Sequence, residues 1–137
     1  MSVPVAIRFD EALLGEVRRL AGRRGTTVSS VVQGFTEEGV RAGCVPGIVF
    51  RDGPAGRRPG VAGSLDVWEV IEVVRQSDPP VDPGAVAADL SVPERVVLIA
   101  LDYYSRFPEE IDAWIADNER EAEQGRAAWV RRQAALS

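Results

Sequence analysis

The chain opens with strict alternation. Val3, Val5, Ile7 and Phe9 point one way, and Pro4, Ala6 and Arg8 point the other. A period of two over seven residues predicts a half-buried strand. At Asp10 the period changes. Asp10 suits a helix N-cap, Glu11 sits at the positive end of the dipole, and Leu13, Leu14, Val17, Leu20 and Ala21 recur at helical spacing up to Gly25. Thr27 then caps a second predicted helix with Val28, Val31, Val32, Phe35 and Val40 on its apolar side. Gly34 and Gly39 each weaken that helix by roughly 1 kcal/mol relative to Ala, so it calls for a partner. One strand and two helices cannot close a core, because a lone strand leaves both edges unpaired. Pairing with the same strand of a second chain solves this symmetrically, so a homodimer is expected.

Beyond residue 42 the pattern shortens. The stretch 43–64 is rich in Gly and Pro, and Ile48–Arg51 and Arg58–Ala62 read as two short strands joined through Asp52, Gly53 and Pro54. Arg57 and Arg58 then form a basic tip, either solvated or touching a phosphate or a protein partner. Asp66 with Glu69 is a capping-box arrangement before the apolar face of Val67, Trp68, Val70, Ile71 and Val74. Asp82-Pro83 restarts a short helix with Pro in its first position. Ser91 with Glu94 reads as another capping box, opening a helix that bears Val92, Val96, Ile99, Ala100, Tyr103 and Tyr104. Pro108 opens a further helix carrying Ile111, Trp114 and Ile115. The segment 117–137 is polar through Gln124 and then places Trp129, Val130 and Leu136 among Arg126, Arg131 and Arg132. Trp flanked by Arg is the composition of an interface hot spot, so this segment is expected to be a partner-binding arm.

Composition narrows the chemistry. The 137 residues include no His, no Lys and one Cys, Cys44. An intramolecular disulfide and a Cys-rich metal site are thereby excluded, which suits a reducing cytosol. The usual general base is absent, as are a Schiff-base lysine and a P-loop lysine. The acids fall in helix first turns and on solvent faces, and Tyr103-Tyr104 reads as core and rim; no catalytic residue, metal or cofactor is expected. The longest apolar runs fall short of the roughly 18 residues a membrane span needs, and the N-terminal residues lack the basic start and apolar block of a secretion signal, so a cytoplasmic protein without a membrane partner is expected. The net charge of −5 is unevenly spread. Residues 1–42 carry six Arg against five acids, and the rest carry ten Arg against sixteen acids. This is compatible with a DNA-facing N-terminal segment.

The order VPVAIRFDEALLGEVRRLAGRRGTTVSSVVQGF resembles a ribbon-helix-helix domain of the CopG and VapB antitoxin type. The resemblance implies that paired strands enter the DNA major groove through Pro4, Ala6 and Arg8, while Thr27 and Ser29 at the second helix's start meet a phosphate. This chain departs from the pattern at two of three groove positions: Arg8 can hydrogen-bond a base edge, whereas Pro4 has no donor and Ala6 offers at most a methyl contact. From Gly47 to Ile115, the stretches PGIVFRDGPAGRRPGVAGSLDVWEV and LSVPERVVLIALDYYSRFPEEID resemble a small VapB-type antitoxin domain, which implies a hairpin, a helix and a helix-turn-helix-like trio beside a PIN-like ribonuclease toxin. The reading helix of that trio would present Glu94, Arg95, Leu98 and Asp102, a poor match to a phosphate-lined groove, so a packing or partner-binding role is expected for it. The expected fold is mainly α: a dimeric ribbon-helix-helix (β-α-α) segment over 1–43, a hairpin plus helical domain over 44–116, and the arm over 117–137. The expected function is that of a type II antitoxin, which binds operator DNA and sequesters its toxin through Arg126, Trp129, Val130, Arg131 and Arg132. A ribbon-helix-helix regulator without a toxin, and a dimeric scaffold that binds protein alone, remain open alternatives.

Overall fold

The computed structural model describes all 137 residues. It is mainly helical, with six helices and one two-stranded antiparallel sheet, and it divides into two compact units, Met1–Cys44 and Val45–Ser137. No helix is long and apolar enough to cross a membrane.

The first unit is a helix pair, α1 (Glu11–Arg24) and α2 (Val28–Cys44). Asp10 starts α1 by accepting from the Leu13 N–H at 3.2 Å. Gly25 ends it in the left-handed region, at φ 63°, where a Cβ would be strained; this lets the Thr26 N–H return to the Ala21 carbonyl at 3.0 Å. Thr27 starts α2, its hydroxyl oxygen accepting from the Ser30 N–H at 3.1 Å. Glu11 in the first turn of α1 and Arg23 and Arg24 in its last both suit the helix dipole. The Arg24 guanidinium lies over the Phe35 ring, 5.2 Å from its centre. Of all the side chains in this unit, only Ala21 and Val31 are buried.

Residues 1–10 form no strand, contrary to the alternation they carry. A strand exists by exchanging backbone hydrogen bonds with a neighbour, and the sheet of this chain consists of two other segments. Val3, Val5 and Ile7 are accordingly 75%, 77% and 64% exposed.

The second unit begins with the hairpin β1 (Ile48–Gly53) and β2 (Gly56–Val61), in register from Ile48 opposite Val61 to Gly53 opposite Gly56. The ladder runs two residues farther along β1 than the sequence pattern indicates, leaving Pro54 and Ala55 as the turn. Four helices follow: α3 (Val67–Gln76), α4 (Pro83–Leu90), α5 (Glu94–Arg106) and α6 (Pro108–Leu136). Asp66 and Glu69 close the capping box on α3, with the Asp66 N–H donating to Glu69 Oε1 at 3.2 Å. Asp82 caps α4 through the Gly84 N–H at 3.0 Å.

Ser91 does not start α5. It ends α4 in the left-handed region, at φ 56°, and Pro93 is the residue that precedes α5, without a side-chain cap. The link between the two helices is so short that the residue closing the first cannot also cap the second: Val92 returns its N–H to the Ala87 carbonyl at 3.0 Å, completing the end of α4.

The core of this unit joins Val45, Ile48 and Val61 to Val67, Val70 and Ile71 of α3, Val86 and Ala87 of α4, Val96, Val97, Ala100 and Tyr103 of α5, and Ile111 and Ile115 of α6. Tyr103 is fully buried, edge-on to Phe50 at 6.5 Å between ring centres, with its hydroxyl donating to the Glu110 carboxylate at 2.9 Å. The segment 117–137 lies on α6 together with the last part of the preceding segment. It continues α6 without a break through Gly125, giving 29 residues and a length of about 43 Å.

Candidate nucleic-acid and partner interfaces

Three groups of residues carry candidate chemistry. In the first unit, Pro4, Ala6 and Arg8 are exposed on a segment outside any element, and Thr27 and Ser29 are exposed at the start of α2. The first turn of α2 holds no acid, so its N-terminal partial charge is not neutralised from within the helix. The Thr27 hydroxyl is engaged as a cap acceptor, which leaves its O–H free to donate outward.

The hairpin arginines are held in ion pairs. Arg57 pairs with Asp52, its cross-strand neighbour, at 3.4 Å. Arg58 turns onto Asp66, which is the only charged residue in the core, and Arg51, cross-strand from Arg58, meets the other oxygen of the same carboxylate at 2.8 Å. Arg51 also donates to the Val61 carbonyl. Room for this arrangement comes from Gly60: a Cβ there would lie 2.6 Å from the Arg51 guanidinium carbon. Two of the cationic side chains near the turn thus clamp the hairpin onto the start of α3. Sequence reasoning missed this cluster because Arg51 and Asp66 lie fifteen residues apart and join only when the hairpin folds back.

On α6, Arg126 pairs with Glu123 at 2.7 Å, while Arg131 and Arg132 are exposed and Trp129 and Val130 are 59% and 64% exposed. The structure brings these five residues onto one helical segment whose apolar side chains find no cover within the chain. Nearer the body of the unit, Arg75, Tyr104 and Asp112 form a surface cluster, with the Tyr104 hydroxyl donating to Asp112 at 2.8 Å. The hydrogen bond with Tyr104 holds the Arg75 guanidinium above its ordinary pKa; desolvation opposes this, and the charges of Asp112 and Glu119 add smaller upward contributions. Arg75 therefore stays charged at any ordinary pH. Glu94, Arg95, Leu98 and Asp102 are all exposed along α5, the mixed surface that the sequence indicates. No three carboxylate or thiol groups converge as a metal site.

A groove that sequence reasoning missed lies within the second unit, lined by Pro54, Ala55, Arg58, Trp68, Trp114, Asp117, Asn118 and Glu121. The sequence places Trp68 and Trp114 on apolar helix faces; the available signal was their width, since an indole is seldom fully buried. Comparison of the chain with known protein families, with curated proteins and with solved structures finds no match.

Proposed function

We propose that this chain is the antitoxin of a type II toxin–antitoxin pair. It dimerises through Val3–Phe9, binds operator DNA through that ribbon and the start of α2, and neutralises a PIN-like ribonuclease with the outer part of α6. One observation carries the reading: the first unit buries only Ala21 and Val31, while Val3, Val5 and Ile7 stand exposed beside two well-capped helices. A unit of this size does not hold together on so small a core, and oligomerisation is the usual remedy. Antiparallel pairing of two such segments would supply the missing backbone partners and bury three apolar side chains per chain, each contributing roughly 1.5–3 kcal/mol. The groove-facing edge of that ribbon is then Pro4, Ala6 and Arg8, with Arg8 as its base-reading donor.

The outer part of α6 supports the second half of the reading. Past Ile115 no residue of this helix is buried, although Trp129, Val130 and Leu136 are apolar. An arginine of this segment, Arg131 or Arg132, can pair bidentately with the metal-binding carboxylates of a nuclease and displace its ion. The test is co-expression with the product of the adjacent reading frame. A chain ending at Gly125 is expected to lose co-purification and growth rescue while keeping its oligomeric state. Full neutralisation by the shortened chain would move the toxin site to residues 44–116, and the absence of any toxic partner would leave a regulator or scaffold without a toxin.

A further inference from the structure

The groove on the second unit holds about 340 Å³, at the lower end of the range for ligand sites. Trp68 from α3 and Trp114 from α6 contribute half-buried indoles, and Asp117, Asn118 and Glu121 follow Trp114 along the same helix. Arg58 also lines the groove, but its guanidinium is held by Asp66. Asp66 is itself divided between Arg51 and Arg58. Asp117 shares its charge with Arg120, so the one lining carboxylate left without an ion pair is that of Glu121.

Indole faces beside carboxylates are the chemistry of cation recognition. A guanidinium fits better than an ammonium, because its plane stacks on an indole while its edge offers paired N–H donors to a carboxylate. We propose that this groove receives an arginine side chain presented by a partner polypeptide. Free arginine is disfavoured, because its α-carboxylate would approach Asp117 and Glu121, whereas an arginine within a peptide carries no such charge. The groove uses none of the residues named for the antitoxin reading, which are Val3–Phe9, Thr27, Ser29, Arg126 and Trp129 to Arg132.

The experiment follows the three indole N–H resonances of the full chain, with that of Trp129 assigned by Trp129→Phe. The probe is a blocked Ala-Arg-Ala tripeptide. Saturable shifts of the Trp68 and Trp114 resonances are expected, with Trp129 unmoved. Replacing the probe's arginine by citrulline, its neutral isostere, should weaken binding about tenfold. The double variant Asp117→Asn, Glu121→Gln, both on the surface of α6, should weaken it by a factor of about three to ten. Propylguanidinium, a guanidinium without a peptide, should bind more weakly than the tripeptide. The proposal is overturned by the absence of saturable shifts, by equal binding of the citrulline peptide or to the double variant, or by propylguanidinium binding as tightly as the tripeptide.

Discussion

Asp66 shows how one buried carboxylate organises a small domain. It closes the capping box with Glu69, accepts from Arg51 and Arg58, and so ties both hairpin strands to the first turn of α3. Both arginines are part-exposed, with 29% and 27% of their side chains open to water, so solvent screens part of the attraction. Asp66→Asn keeps the shape and the cap but leaves two like charges together. The expected cost is roughly 1–3 kcal/mol, below the value for a fully buried pair. All three tryptophans lie in the second unit, so denaturant unfolding followed by tryptophan fluorescence reads the effect there, as a lower midpoint with an unchanged slope. An unchanged midpoint would mean that the arginine clamp contributes nothing to stability.

At the scale of elements, local chemistry was legible and competition between neighbours was not. Asp10, Thr27, Gly25, Asp82 and the Asp66–Glu69 pair each act within four residues, and the structure uses each where the sequence indicates. Ser91 is different. It meets the requirements of an N-cap for α5, but α4 ends there first, and Ser91 adopts the left-handed conformation that closes it. Ser91→Gly should therefore raise stability by up to about 1 kcal/mol, because Gly takes this conformation without the steric cost of a Cβ. A rise in thermal midpoint checks this; a fall would mean that the serine side chain supports the turn in a way that its conformation does not reveal. Gly125 shows the reverse case, a weak position that its neighbours override. A single glycine costs a helix about 1 kcal/mol, and the Glu, Ala, Gln and Arg residues around Gly125 are good enough helix formers to carry α6 across it. The groove was out of reach for a third reason. Trp68 and Trp114 are forty-six positions apart, and nothing in either local pattern indicates that α3 and α6 bring them to one opening.

For the molecule as a whole, the contrast between the two units matters most. The second has a continuous core, including a fully buried tyrosine whose hydroxyl is satisfied by Glu110. The first has capped helices and an alternating segment but almost no interior. That imbalance is the physical ground for expecting a second copy, and both the DNA-binding and the operon-repressing parts of the proposed function depend on it. Sedimentation equilibrium at micromolar concentration, on the wild type and on Ile7→Asp, tests it most directly. Pairing of the ribbons predicts a wild-type mass of twice the 14.8 kDa chain. Ile7→Asp would place a carboxylate at the centre of the shared apolar face, at a cost of several kcal/mol, and so should sediment as a monomer. A wild type that is itself a folded monomer, or a variant that dimerises as well as the wild type, would contradict the account.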